Sequence, residues 1–226
     1  MPENALALLL VGLIAGVASG MFGIGGGVVI VPALVILGFE LKEAVGTSLG
    51  ALLMPVGIFA VIAYYRAGKL KLWIAVPIAA GLVGGSIVGA QIVRNLPTAT
   101  LQQLYGLFLL WIGWRFAEPR KLWRDWRSQT PAPKTPEVET EVNYSWYFLL
   151  VVGLVAGVLA GMFGIGGGAI IVPALVAFLK FDQKLAVGTS LAALLLPVSI
   201  GAVVTYYQDG NLEPAAAALV AVGLLI

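Results

Sequence analysis

Two copies of a glycine-rich motif are the residues of this sequence best suited to binding chemistry. Gly23-Ile24-Gly25-Gly26-Gly27 is repeated as Gly164-Ile165-Gly166-Gly167-Gly168, and each copy stands directly before a short apolar segment. Glycine adopts positive φ and lets a ligand approach the backbone closely. The first N–H groups of a helix have no internal partner, and together with the helix dipole they attract anions. The motifs therefore predict an anion site made of backbone donors, and its predicted residues are Gly25, Gly26, Gly27, Gly166, Gly167 and Gly168.

The alternative interpretation of these glycines is close packing, because small residues let membrane helices approach one another. Gly12, Gly16 and Gly20, spaced by four residues, fit this alternative better than the motifs do. A run of four glycines among five residues, present twice, favours a functional role instead.

Hydroxyl residues follow each motif at the same interval. Gly46-Thr47-Ser48 and Gly188-Thr189-Ser190 open the next apolar segment in each half. Thr47, Ser48, Thr189 and Ser190 are predicted either to bind an oxyanion without adding a fixed charge or to cap the helix that they open.

Absent residue types exclude several classes of function. The chain has no Cys and no His, so disulfides, thiolate zinc sites and the usual general base are excluded. No charged residue lies in the core of a predicted span, and no enzyme activity, cofactor or metal is predicted. The net charge of +2 gives no reason to expect a nucleic-acid partner.

The composition predicts an all-α integral membrane protein. Of 226 residues, 60% are hydrophobic and only 11% are charged, and the mean hydropathy is +1.00. Eleven of the 24 charged residues lie between Arg115 and Glu141, which leaves few for the rest of the chain. Such a sequence cannot build a water-soluble surface.

The lengths of the apolar segments divide them into two kinds. Ala44–Tyr65, Leu72–Val93 and Thr98–Phe116 approach the ~20 residues that a membrane-spanning helix needs. Val28–Phe39 and Ala169–Leu179 are shorter, so they are predicted to be half-helices or the return limbs of re-entrant hairpins. A backbone break at membrane depth is tolerated only inside protein or beside a cavity.

The chain is an internal duplication. Gly12–Val35 matches Gly153–Val176 at 19 of 24 positions, and Ala44–Gly68 matches Ala186–Gly210 at 17 of 25. We therefore divide the chain into a first transmembrane repeat (1–117), a cytoplasmic linker (118–143) and a second repeat (144–226). The first part of the linker is amphipathic and is predicted to be a short helix on an anionic membrane face, and the proline-rich part after it is predicted to be a flexible tether. The alternative is a simple solvated connector between the two repeats. The second repeat ends before its counterpart of Thr98–Phe116, so it is expected to be C-terminally incomplete.

Charges at equivalent turns predict that the two repeats are inverted. The turn 66–71 has three Lys/Arg, whereas the equivalent turn 208–213 has none. Because Lys and Arg favour cytoplasmic loops, the two turns are expected on opposite sides of the membrane. The alternative is a parallel repeat, in which each broken segment crosses the membrane once.

The sequence resembles the TauE/SafE sulfite exporter family, also called TSUP. The resemblance rests on Gly-Met-Phe-Gly-Ile-Gly-Gly-Gly followed by Ile-Val-Pro, and then on Ala-Val-Gly-Thr-Ser-Leu, in both repeats. It implies a multi-pass transporter in the cell inner membrane that exports sulfite or sulfur-containing organic anions. The implied partners are a small anionic substrate and the lipid bilayer, and a homo-oligomer is possible. The alternatives are a passive anion channel and a membrane scaffold subunit that docks through the linker.

Overall fold

The computed structural model describes residues 4–54, 57–117 and 145–225, and these are helices joined by short loops, with no strand among them. The first half contains α1 (Ala5–Phe22), α2 (Gly27–Ile36), α3 (Leu41–Ala51), α4 (Ile58–Arg66), α5 (Leu72–Asn95) and α6 (Thr98–Ala117). The second half contains α7 (Trp146–Phe163), α8 (Gly168–Phe178), α9 (Gln183–Leu194), α10 (Ile200–Gln208) and α11 (Pro214–Leu225). The predicted linker, 118–143, lies outside the described residues.

The surface of the described helices is that of a protein surrounded by lipid. Within the described ranges, α1, α5 and α7 are long and apolar enough to cross a membrane. Large apolar side chains point outward, among them Ile36, Trp73 and Leu110, which are 85%, 92% and 73% exposed. An apolar surface of this extent is stable in a bilayer and not in water.

The glycine motifs end one helix and begin the next. Gly23 closes α1 in the left-handed conformation (φ +68°) and donates its N–H to the Ser19 carbonyl. Gly26, with φ +78°, then precedes the first residue of α2. Gly164 and Gly167 have φ +71° and +85° in the same places between α7 and α8. Side chains with a Cβ are strained at such φ values, so glycine fixes both breaks.

The apolar segment Ala44–Tyr65, which the sequence predicted to be one span, is not a continuous helix, and neither is its counterpart in the second half. Ala44–Tyr65 is divided between α3 and α4, and Leu185–Tyr207 is divided between α9 and α10. In the second half the division contains Pro197, whose ring has no N–H for a helical hydrogen bond. The expectation that Thr47 and Ser48 open their helix was also wrong, because α3 begins at Leu41 and contains both. The same correction applies to Thr189 and Ser190, because α9 begins at Gln183.

The two halves pack on each other through their first and fifth helices, and α11 is the counterpart of α5. α5 lies along α7, and α11 lies along α1. A Cβ added to Gly85 would overlap the Leu154 carbonyl oxygen, and one added to Gly157 would lie 2.9 Å from Leu82 Cα. Gly12 and Gly16 meet the backbone of α11 in the same way, which confirms their predicted packing role. Gly20 has no described atom within 4 Å of an added Cβ.

The two ends of α5 divide the loops into two groups. At its start, Lys69 pairs with Asp182 at 3.9 Å, so the turn 66–71 and the loop 179–184 share one end, here called the basic end. At its other end, Arg94 pairs with Asp209 at 3.2 Å. The 24 residues of α5 separate these ends by about 36 Å. The equivalent turns 66–71 and 208–213 therefore lie at opposite ends of the molecule.

The end that contains the turn 208–213, here called the acidic end, also contains the loop before α3. Lys42 Nζ donates to the Leu96 carbonyl at 2.8 Å, just past the end of α5. α1 runs parallel to α11, since Gly12 lies against Val220 and Gly16 against Leu224. α1 therefore starts at the acidic end, and α2 leads back to it. By the same contacts with α5, α7 starts at the basic end, and α8 returns there.

The described charges differ in sign between the two ends. The basic end has five Lys/Arg and one Asp, namely Arg66, Lys69, Lys71, Lys180, Lys184 and Asp182. The acidic end has four Asp/Glu and two basic residues, namely Glu40, Glu43, Asp209, Glu213, Lys42 and Arg94. The basic end thus has the composition of a cytoplasmic membrane face.

Candidate functional site

The two glycine-rich breaks are residues 23–27, between α1 and α2, and residues 164–168, between α7 and α8. They lie directly against each other. A Cβ added to Gly27 would overlap the Gly164 carbonyl oxygen and lie 2.6 Å from Ile165 Cα. Gly168 meets the other break in the same way, at the Gly23 carbonyl oxygen. Between these contacts, an added Cβ on Gly25 would lie 3.7 Å from Gly166 Cα. Because the contacts come in equivalent pairs, the two breaks are related by an approximate two-fold axis that passes between Gly25 and Gly166.

Five successive N–H groups in each break have no acceptor among the described residues. They belong to residues 24–28 and 165–169, and the first N–H groups with acceptors after them are those of Val29 and Ile170. The peptide groups are buried or nearly so. Successive backbone donors of this kind, at the start of a helix and beside residues with positive φ, form an anion-binding concavity. The predicted glycine residues are therefore brought together, with free donors on both sides of the axis.

The predicted serines hold the breaks in place across the two halves. Ser48 Oγ donates to the Gly164 carbonyl at 2.7 Å, and Ser190 Oγ donates to the Gly23 carbonyl at 3.2 Å. Both serines are fully buried. Each bond satisfies the last carbonyl before a break, so the next peptide groups along the chain are positioned by a helix of the other half.

The predicted threonines make a second pair of bonds between the halves. Thr47 Oγ1 accepts from the Glu213 N–H at 3.0 Å, and Thr189 Oγ1 accepts from the Lys71 N–H at 3.2 Å. Glu213 and Lys71 stand immediately before α11 and α5, so the threonines cap helices of the opposite half. Direct contact of these four hydroxyls with an anion stays a prediction.

A small cavity lies where the two breaks meet. Its volume is about 30 Å³, room for about two water molecules. Gly25 and Gly166 line it from the two breaks, and Ser19 and Ser199 supply its hydroxyl groups. The rest of its lining comes from Gly57 and from the apolar side chains of Leu52, Met54, Leu191, Leu194, Leu195 and Val198. None of these residues is charged, so the polarity of the cavity comes from peptide groups and hydroxyls.

A larger cavity of about 210 Å³ adjoins the first, because Ser19 and Gly57 line both. It lies among α1, α4 and α11, beside Leu224 and Leu225. Only the smaller cavity is lined by both breaks, so it is the better candidate for the site.

Sequence reasoning missed Ser19 and Ser199, although a signal for both was present. They stand where the two repeats differ, since the equivalent residues are Ala160 and Gly57. A search for residues shared by the repeats passes over such positions. A comparison of the few polar differences between them would have found both.

One family and several known proteins match this chain. The family described as "Sulfite exporter TauE/SafE" matches residues 8–226. "Probable membrane transporter protein YunE" of Bacillus subtilis is 30% identical over 210 residues, which cover 87% of this chain and 76% of that protein. "Probable membrane transporter protein MJ0441" of Methanocaldococcus jannaschii is 30% identical over 206 residues, covering 88% and 71%. A "Probable membrane transporter protein" of Haemophilus influenzae is 28% identical over 204 residues, covering 86% and 71%. No solved structure matches the chain.

Proposed function

The chain belongs to the sulfite exporter TauE/SafE family of multi-pass membrane transporters, and we propose that it exports sulfite or a sulfur-containing organic anion. In this proposal the anion binds in the small cavity between the two glycine-rich breaks. The observation that carries the proposal is the set of buried N–H groups without acceptors at residues 24–28 and 165–169. Gly25 and Gly166, which belong to these two sets, line the cavity.

Unpaired donors favour an anion over other ligands. A buried donor without a partner costs about 1–3 kcal/mol, so a ligand that satisfies several of them is strongly favoured. An oxyanion offers several acceptor oxygens, and its charge also interacts favourably with the positive end of each helix dipole. A cation would meet the wrong end of both dipoles. The cavity volume of about 30 Å³ fits an ion of a few atoms rather than a sugar or a nucleotide.

The proposed arrangement in the membrane is a pair of inverted repeats, each beginning with a re-entrant hairpin. It is supported by the equivalent turns 66–71 and 208–213, which lie at opposite ends of α5. The hairpin α1–α2 enters from the acidic end and α7–α8 enters from the basic end. The excess of Lys/Arg at the basic end supports our proposal that this end faces the cytoplasm, together with the linker 118–143.

The bonds between the halves connect binding to a change of shape. Ser48 and Ser190 each join α3 or α9 to the break of the other half. An anion that binds the N–H groups of one break and displaces that break would therefore also displace a helix of the opposite half through these hydrogen bonds. Transport in this scheme consists of the halves moving against each other around the bound anion, as in other inverted-repeat transporters.

The test of this proposal measures anion binding and flux with the purified full-length protein. Sulfite, sulfate, thiosulfate, sulfoacetate, acetate and chloride are compared by thermal shift in detergent. A ligand at 100 times its dissociation constant stabilises the protein by about 2.7 kcal/mol. In proteoliposomes, sulfite efflux that saturates and is accelerated by sulfite on the opposite side is expected. Flux that does not saturate would indicate a channel, and absence of both binding and flux would favour the scaffold alternative.

A pair of glycine variants gives the matched control for the site. Gly25→Ala strains a residue with φ +78° and places a Cβ 3.2 Å from Leu194 Cδ1 in the cavity. Gly68→Ala strains a residue with φ +67° that has no described atom within 4 Å of the added Cβ. Both variants therefore take similar backbone strain, and only Gly25→Ala is expected to weaken sulfite binding. An equal loss of sulfite binding in both variants would show that the anion does not bind in this cavity.

A further inference from the structure

One buried serine differs from all the other buried serines and threonines that the structure describes. The Ser19 side chain is 6% exposed and lines the cavity together with Gly25, yet its Oγ has no hydrogen-bond partner among the described residues. The other buried serines and threonines of the described ranges all have partners, and they are Thr47, Ser48, Ser86, Thr189, Ser190 and Ser199. The buried Tyr105 hydroxyl also has no partner there, but Tyr105 does not line the cavity. A serine within a helix ordinarily bonds the carbonyl four residues earlier, but Ser19 makes no such bond to Ala15.

Ser19 is also a polar difference between the helices that lead into the two breaks, which are otherwise nearly identical there. The equivalent residue is Ala160, which is buried and does not line the cavity. Ser199, the other cavity hydroxyl, donates its proton to the Leu49 carbonyl at 3.3 Å. Of the two serines that line the cavity, Ser19 is therefore the one whose hydroxyl proton is not donated to another group in the described part of the chain. It belongs to the first half, and the second half has no equivalent hydroxyl.

We propose that Ser19 Oγ donates a hydrogen bond to the anion bound at this site, so that the anion lies closer to α1 than to α7. This inference rests on the proposed function, since it concerns a further binding residue of the same site. The free hydroxyl adds a donor on the α1 side of the cavity, apart from the N–H groups of the breaks. A polyatomic oxyanion accepts from both kinds of donor through different oxygens. A hydrogen bond from a hydroxyl group to an ionised oxygen is short and about twice as strong as a hydrogen bond between neutral groups.

The experiment compares Ser19→Ala with the wild-type full-length protein in detergent, with sulfite as the probe. Loss of one hydrogen bond to a charged ligand is expected to raise the sulfite dissociation constant roughly 10- to 100-fold. The thermal stability of the ligand-free protein is expected to stay at or above the wild-type value, because the variant leaves no protein acceptor unpaired. A sulfite dissociation constant within twofold of wild type would overturn the role of Ser19.

Two further variants separate this role from a general effect of buried serines. Ser86 is 2% exposed and donates to the Val198 carbonyl at 2.9 Å, and it does not line the cavity. Ser86→Ala is therefore expected to lower stability and to leave sulfite binding unchanged. Ala160→Ser added to Ser19→Ala moves the hydroxyl to the other half and is expected not to restore affinity. Restored affinity would refute the off-axis position of the anion.

The failure of this inference is distinguishable from the failure of the proposed function. If wild-type protein binds no oxyanion of the panel, the proposed function falls, and the Ser19 role falls with it. If wild-type protein binds sulfite and Ser19→Ala binds it equally well, only the role of Ser19 is wrong.

Discussion

Gly27→Ala tests whether the two breaks are in contact, because the substitution adds a single carbon between them. Gly27 is the first residue of α2, and its φ lies outside the region that favours glycine. Alanine is therefore compatible with the backbone there, and it is a better helix former than glycine by about 1 kcal/mol. If α2 were free of neighbours, the variant would be as stable as wild type or more stable. The contact with Gly164 and Ile165 predicts the opposite result.

The size of the effect follows from the geometry of that contact. The added Cβ would overlap the Gly164 carbonyl oxygen and lie 2.6 Å from Ile165 Cα. Ordinary carbon contacts lie at about 3.5–4.0 Å, so the backbone of the other break must retreat by about 1 Å. Overpacking of this kind costs about 1–3 kcal/mol, which exceeds the gain in helix propensity. After the propensity gain is subtracted, a net loss of about 1 kcal/mol corresponds to a melting temperature ~2–4 °C lower in a protein of this size.

The assay is thermal unfolding of the purified protein in detergent, with and without sulfite. Gly106→Ala is the control, because Gly106 lies within α6 and has no described atom within 4 Å of an added Cβ. The control is expected to melt at or above the wild-type temperature. Gly27→Ala is expected to melt lower and to bind sulfite more weakly, since the N–H donors move with the break. A Gly27→Ala protein with wild-type melting and wild-type sulfite affinity would refute the contact between the breaks.

Two other predictions concern the bonds between the halves and the direction of the repeats. Ser48→Ala and Ser190→Ala each leave a buried carbonyl without its donor, so each is expected to lower the free energy of unfolding by about 1–3 kcal/mol. The Ser48 variant should show the larger loss, because its bond is 2.7 Å rather than 3.2 Å long, and chemical or thermal unfolding that gives wild-type stability for both would contradict these bonds. Lys69→Cys and Asn211→Cys occupy equivalent turns at opposite ends of α5, so an impermeant thiol reagent applied to intact cells should label only Asn211→Cys. Labelling of both from one side would replace the inverted repeat by the parallel one.

The duplication made the glycine-rich breaks predictable from the sequence. Gly26 and Gly167 were predicted to precede short helices, and each does, with a positive φ that a side chain would strain. Helix packing through Gly12 and Gly16 followed from their spacing of four residues, and it places them against α11. These features depend on local backbone geometry and on residue size, and the sequence records both.

Other features depend on contacts between the halves, which local patterns do not record. Ala44–Tyr65 is apolar enough for one span, yet it is divided into two helices, and both pack on helices of the other half. Thr47 was predicted to cap its own helix or to bind an anion; the helix that it caps is α11, in the other half, and its contact with an anion stays a prediction. Ser19 was missed because the prediction relied on residues that both repeats share, and the equivalent residue is Ala160. A comparison of the repeats could have singled it out, but its lack of a partner is visible only in three dimensions.

A site made of peptide donors suits transport better than a site made of fixed charges. No charged side chain of the described residues lines the cavity, so an anion bound as we propose would be held by N–H groups, hydroxyls and helix dipoles. An Arg or Lys in the same space would hold the anion through a full charge at low dielectric, where Coulomb attraction is far stronger than at the surface. Tight binding of that kind would oppose release, whereas a carrier must bind strongly enough to select its substrate and weakly enough to let it go. Five of the described Lys and Arg lie instead at the basic end, where their excess of positive charge favours the approach of anions from solution.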